Sequence, residues 1–408
     1  MVVQAFHLLA KPSGAACNLS CKYCFFLSKE NLYRGESRVM DDATLTAYLR
    51  SLMDASPGPE VHVAWQGGEP MLRGLEFFRR SVRLADEYRK PGQRVVHTIQ
   101  TNGTLIDDEW AAFFKENRFL VGLSIDGPQQ LHDAYRIDRK GNGSFEEVVR
   151  GWNCLRRHGV DVNVLCTVHA RNADHPLEVY RFFRDELHAE YIQLIPIVER
   201  ATAATLALAN RGWDGSRGVD RPLYRQEGNL VTERTVDAGK FGRFLIGIFD
   251  EWVRRDVGRV FVTTFDIALG SWLGQHNACI VSPTCGRSLV LEHNGDVYSC
   301  DHYVEPDHRL GNVCDTALGV LVESEKQRRF GAGKYETLPR FCRECPVLFA
   351  CYGECPRNRF IETPDGEPGL NYLCEGYKAF FAHIAQPMSV MATLIRQGRY
   401  AEEIMRKA

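Results

Sequence analysis

From the N-terminus to about residue 200 the chain alternates short apolar runs of strand length with amphipathic runs of helix length. That alternation restricts the fold more than any other feature. Strands are expected over residues 5–11, 62–66, 95–101, 119–125, 160–168 and 191–195. Helices are expected between them over 41–54 (with an aspartate cap), 75–88, 107–117, 144–158 (ending at Gly159) and 176–187. A repeated strand-helix order implies a parallel sheet with right-handed crossovers, and six units rather than eight imply an open, partial (β/α)6 barrel. Chemistry is then expected at the C-terminal ends of the strands.

The residues that follow the strands are polar or glycine-rich. Gln66-Gly67-Gly68-Glu69-Pro70 follows the second strand, Gln100-Thr101-Asn102-Gly103 closes the third, and Ser124-Ile125-Asp126-Gly127-Pro128 closes the fourth. After the first comes Cys17-Asn18-Leu19-Ser20-Cys21-Lys22-Tyr23-Cys24. Three thiolates at this spacing can hold three corners of a 4Fe-4S cube and leave the fourth iron open to a substrate. A structural zinc site is the competing use of such thiols, but zinc prefers four closed ligands and this run supplies three.

Composition agrees with a large folded enzyme. The chain has 408 residues, 44 % of them hydrophobic and 25 % charged, which allows a large core in two or three domains. A net charge of -2 suggests neither a nucleic-acid surface nor an anionic membrane. No apolar run has the length of a membrane span, and the N-terminus lacks the features of a signal peptide, so a cytoplasmic location is expected. Fourteen cysteines without an export signal point to metal ligation rather than disulfides.

The strand-loop-cysteine arrangement resembles the radical S-adenosylmethionine (AdoMet) superfamily, in which the open iron chelates the methionine moiety of AdoMet and a 5'-deoxyadenosyl radical is produced. The resemblance implies AdoMet contacts at Tyr23 and Gly68, with Ser124, Arg136 and Val198 nearby. Arg136 suits a carboxylate because a guanidinium makes bidentate hydrogen bonds.

Residues 200–236 lack clear periodicity and read as an insertion or lid within a first domain of residues 1–236. Helices are expected to link it, over 237–278, to a cysteine-rich domain at 279–374, and the remainder, 375–408, reads as C-terminal helices. The cysteine-rich part holds Cys279, Cys285, Cys300, Cys342, Cys345, Cys351, Cys355 and Cys374, enough for two further 4Fe-4S clusters or for two zinc sites. Around His293-Asn294-Gly295-Asp296 the alternation signals a hairpin that returns Cys300 toward Cys285.

This spacing resembles the SPASM group, and specifically the anaerobic sulfatase-maturating enzymes. Trp65-Gln66-Gly67-Gly68-Glu69-Pro70, Asn294-Gly295-Asp296-Val297-Tyr298-Ser299-Cys300-Asp301-His302-Tyr303 and Leu370-Asn371-Tyr372-Leu373-Cys374-Glu375-Gly376-Tyr377 carry the likeness. It implies three 4Fe-4S clusters. The first is held by Cys17, Cys21 and Cys24, a second by Cys279, Cys285, Cys300 and Cys355, and a third by Cys342, Cys345, Cys351 and Cys374.

It also implies oxidation of a Cys or Ser side chain of a nascent or unfolded sulfatase to Cα-formylglycine. Asp301 is then the base, and flavodoxin or ferredoxin the electron donor. Modification of a ribosomal precursor peptide is the alternative, and the early first strand leaves no room for the leader-binding domain common in such enzymes. A cluster-carrying electron-transfer protein is a third reading, though it would not need the polar strand ends. Two positions depart from the pattern: Phe26 stands where tyrosine is frequent, and Glu354 where glycine is common. Cys154, Cys166 and Cys314 remain unassigned and read as ordinary thiols.

Overall fold

The computed structural model describes residues 3–35, 38–213 and 223–406; Asp214 and Gly215 of the expected insertion and the last two residues of the tail lie outside the described residues. Strands and helices alternate as β1 (His7–Ala10), α1 (Asp42–Ala55), β2 (Glu60–Trp65), α2 (Leu75–Tyr88), β3 (Arg94–Thr101), α3 (Asp108–Glu116), β4 (Leu120–Ser124), α4 (Phe145–Arg157), β5 (Asp161–Val168), α5 (Pro176–Arg181) and β6 (Tyr191–Pro196). Aspartate side chains start two of the helices: Asp41 accepts from the Thr44 N–H, and Asp107 from that of Trp110. The expected helix at 176–187 changes to a wider π turn over Phe182–Glu186.

The chain continues through α6 (Ala238–Arg255), β7 (Phe261–Val262), α7 (Thr263–Trp272), β8 (Ser288–Leu291), β9 (Asp296–Tyr298) and β10 (Arg309–Asn312) to α8 (Glu325–Glu336) and α9 (Cys374–Arg396). The six parallel strands of the partial barrel are neighbours in chain order, within one sheet of order β10-β9-β8-β1-β2-β3-β4-β5-β6-β7. Strand β7 extends the β6 edge. The cysteine-rich hairpin β8–β9 extends the other, with β8 parallel to β1. Its register pairs His7 with Ser288 and Ala10 with Leu291, so Lys11 leaves the sheet beside Glu292. An unpaired first strand would expose its backbone donors and acceptors. The hairpin covers them and carries Cys300 to the barrel mouth.

Helices α6 and α9 cross closely. A Cβ on Gly376 would lie 2.1 Å from the Ala238 carbonyl oxygen, so only glycine permits that approach. Within the segment expected to be an insertion, Arg200–Ala201 pairs antiparallel with Leu230–Val231. Its base is anchored by buried Arg234, whose Nε donates to Glu199 Oε2 at 2.9 Å. Among the described residues, no helix is long and apolar enough to cross a membrane.

Candidate active site

The cysteine loop leaves β1 and is fastened to the ends of the other strands by its backbone. The Gly68 and Glu69 N–H groups donate to the carbonyls of Gly14 (2.8 Å) and Ala16 (2.7 Å). On the opposite side, Ser20 and Lys22 donate to the carbonyls of Ile137 (2.8 Å) and Tyr135 (2.9 Å). Arg139 Nη2 donates to the Cys17 carbonyl at 2.6 Å. So held, the three thiols are near enough that Cys21 and Cys24 each oppose ionisation of Cys17. Burial pushes Cys21 up to about 12 and Cys17 well above the usual thiol range, and the neighbouring thiols add to the effect. Burial raises Cys24 as well. Converging, desolvated thiols ionise only against strong positive charge, which an iron-sulfur core provides and a lone side chain does not. The donor set fits such a group, with the Leu19 N–H directed at Cys17 Sγ from 3.4 Å.

Gly68, where the resemblance implies an AdoMet contact, first admits the cysteine loop. A Cβ on Gly68 would stand 2.0 Å from the Ala16 carbonyl oxygen. Beneath it, Glu69 is fully buried and accepts from the N–H groups of Met71 (3.0 Å) and Asn102 (2.8 Å) and from Thr101 Oγ1 (2.9 Å). Burial outweighs these donors and moves its carboxyl up to about 7.

Tyr23 and Arg136 meet at Asp126. Its Oδ2 accepts from Tyr23 Oη at 2.6 Å and Arg136 Nε at 2.9 Å, and its Oδ1 accepts from the Thr167 N–H at 2.9 Å. Burial opposes the Asp126 charge, but Arg136 and the nearby histidines outweigh it and hold the carboxyl below its usual range. The Arg136 guanidinium is therefore partly committed within the protein. Ser124 Oγ accepts from Gln100 Nε2 at 2.9 Å, and Val198 is buried on the segment leaving β6.

In the C-terminal part, Cys279, Cys285, Cys300 and Cys355 line one cavity of about 230 Å³, beside His302, Tyr303 and Arg357. Cys342, Cys345, Cys351 and Cys374 line a second, smaller cavity, with Cys351 also reaching the first. Glu354, in the left-handed region at φ 52°, accepts from the Nδ2 atoms of Asn358 (3.1 Å) and Asn371 (2.9 Å), bonds that a glycine there would lack. Asp301 follows Cys300 in a 3-10 turn, and its Oδ1 lies 2.9 Å from Lys11 Nζ.

Sequence reasoning missed Lys11, Glu292 and the hub role of Asp126. Asp126 and Asn102 stood inside motifs already singled out, whereas Lys11 looked like the end of an apolar strand. Of the unassigned thiols, Cys154 donates to Asp108 Oδ1 at 3.4 Å, an oxygen that also engages Arg157 and His158.

The model of the Radical SAM superfamily matches residues 12–183, and that of an iron-sulfur cluster-binding domain, SPASM, matches 279–346. These domains imply 4Fe-4S clusters and AdoMet. The chain is 44 % identical over 402 residues to a serine-type anaerobic sulfatase-maturating enzyme of Bacteroides thetaiotaomicron, covering 98 % of this chain and 94 % of that one. It is 33 % identical over 380 residues to a cysteine-type anaerobic sulfatase-maturating enzyme of Clostridium perfringens, covering 92 % and 95 %. The solved structure of native anSMEcpe with bound AdoMet and Cp18Cys peptide superposes with a TM-score of 0.80 at 32 % identity, over 95 % of this chain and 99 % of that one. With its partial barrel, its cysteine loop and these near full-length likenesses, the chain belongs to the anaerobic sulfatase-maturating enzymes, radical AdoMet proteins with a SPASM domain.

Proposed function

We propose that this enzyme oxidises a seryl or cysteinyl side chain of an unfolded or nascent sulfatase to Cα-formylglycine, with serine as the better substrate. The observation that carries the reading is the 44 % identity, over nearly the whole of both chains, to a serine-type relative, against 33 % to a cysteine-type one. Cys17, Cys21 and Cys24 hold the catalytic cluster. Cys279, Cys285, Cys300 and Cys355 hold one auxiliary cluster, and Cys342, Cys345, Cys351 and Cys374 the other; the shared linings of the two cavities support this division. Tyr23, Gly68, Ser124, Arg136 and Val198 surround AdoMet, and flavodoxin or ferredoxin supplies electrons in the cytoplasm.

When bound, the first cluster and AdoMet supply the 5'-deoxyadenosyl radical that removes a hydrogen atom from the substrate Cβ. Asp301 takes the proton of the substrate hydroxyl or thiol, and the remaining electron of the substrate radical would pass to an iron-sulfur cluster held by the auxiliary thiols. A serine gives the aldehyde directly. A cysteine gives a thioaldehyde, which exchanges its sulfur with water and releases hydrogen sulfide.

Anaerobic incubation of the reconstituted enzyme with AdoMet, reductant and a Ser-x-Pro-x-Arg or Cys-x-Pro-x-Arg peptide tests the proposal by mass spectrometry. A loss of about 2 mass units from the Ser peptide and about 18 from the Cys peptide is expected, with deoxyadenosine formed in step. Deoxyadenosine without change in either peptide would overturn the maturase reading and favour a precursor-peptide substrate.

A further inference from the structure

Lys11 is wholly buried, and three groups enclose its ammonium. Nζ lies 2.9 Å from Asp301 Oδ1, 3.1 Å from Glu292 Oε1 and 3.6 Å from the centroid of the Phe26 ring. Burial works against this charge, yet the two carboxylates outweigh it and hold Lys11 above its ordinary value. A desolvated cation between two anions is fixed in place, since moving it would leave a buried carboxylate uncompensated. Each partner comes from a different element. Lys11 directly follows β1, Glu292 directly follows the neighbouring β8, and Asp301 arrives after the return strand of the hairpin. Glu292 is also fully buried, and Asp301 is the most exposed of the three, with 13 % of its side chain accessible. Phe26 has no hydroxyl to offer Asp301 or a substrate, which leaves its ring face to the ammonium.

We infer that Lys11, anchored by Glu292, is a positioning residue that aims the Asp301 carboxylate at the substrate. The inference rests on the role of Asp301 in the proposed function. In it, Glu292 never meets the substrate, and Phe26 shuts water out of the ion pairs.

The test uses reconstituted holoenzyme, AdoMet, reductant and a Ser peptide deuterated at Cβ, and compares wild type with Lys11→Met and with the Lys11→Met/Glu292→Gln double variant. The double variant removes the buried charge of Glu292 and leaves only the more exposed Asp301 carboxylate without its cation, so it is expected to fold where the single variant is compromised. Expected in the double variant are deuterium transfer to deoxyadenosine as in wild type, and formylglycine per deoxyadenosine lowered up to roughly a hundred-fold, the scale of a misplaced reacting group. Recovery of wild-type coupling in the double variant would overturn the inference, because Lys11 would then only neutralise Glu292. Equal loss of deuterium transfer and of product would overturn it too, by placing the defect in substrate docking. Failure of wild type to oxidise the peptide would instead count against the proposed function.

Discussion

Gly68 and Ala16 touch backbone to backbone: the Gly68 Cα packs so close to the Ala16 carbonyl that a methyl group would lie 2.0 Å from its oxygen. The contact seats the cysteine loop on the end of β2. Gly68→Ala is expected to displace the loop and to lower stability by about 1–3 kcal/mol, the usual cost of overpacking. Iron content after anaerobic reconstitution and the denaturant midpoint measure the two effects, and a variant with normal iron and an unchanged midpoint would contradict this account.

Asp126 carries a second expectation. It binds Tyr23, Arg136 and the Thr167 N–H in a buried site, so Asp126→Asn leaves the guanidinium without its counter-charge. Breaking a buried pair on one side costs about 3–5 kcal/mol, to be read as a lower urea midpoint at constant slope. Tyr23→Phe removes one hydroxyl donor to this ionised carboxylate and is expected to cost less, about 1.5–3 kcal/mol.

The division of the auxiliary thiols predicts an iron count. On the proposed three four-iron cubes, wild type is expected to hold about twelve iron atoms per chain, and Cys345→Ala or Cys279→Ala should each lower this to about eight. The paired variant Cys342→Ala/Cys345→Ala should lose no more than Cys345→Ala alone, whereas Cys279→Ala/Cys345→Ala should fall to about four. Additive loss within the first pair would break the proposed grouping.

Acid sensitivity has a traceable source in His97. The ring is buried, stacks on Phe119 with centroids 4.9 Å apart, and its Nδ1 has no hydrogen-bond partner among the described residues. Burial lowers its pKa to about 4. Between pH 6.5 and about 4 the unfolded chain takes up a proton that the folded chain refuses, so this stability contribution is intact above pH 6.5 and is lost as the pH falls. At pH 5.5 the loss is about 1 kcal/mol. His97→Leu should shrink the drop in unfolding free energy between pH 7.5 and 5.5 by about that amount, and an unchanged drop would assign the sensitivity elsewhere.

The division between sequence and structure is clearest at the strand ends. Strand and helix positions were legible because period-two and period-3.6 burial are local properties of the chain. The cysteine loop and the hairpin were legible as well, since thiol spacing and an Asn-Gly turn are short-range signals. Glu69, Asn102 and Asp126 lay in recognised motifs, but their partners are more than 30 residues away in several cases, as with Asn102 and Glu69 or Asp126 and Thr167. Which strand the hairpin joins was not written in any local pattern. Parallel pairing of β8 with β1 set Lys11 beside Glu292, and the return strand brought Asp301 to the same ammonium. By itself, then, the amino-acid order determined the elements and the donor atoms. Only tertiary packing decided which charges meet, because burying a lysine is tolerable solely where the fold delivers carboxylates from distant segments to the same point.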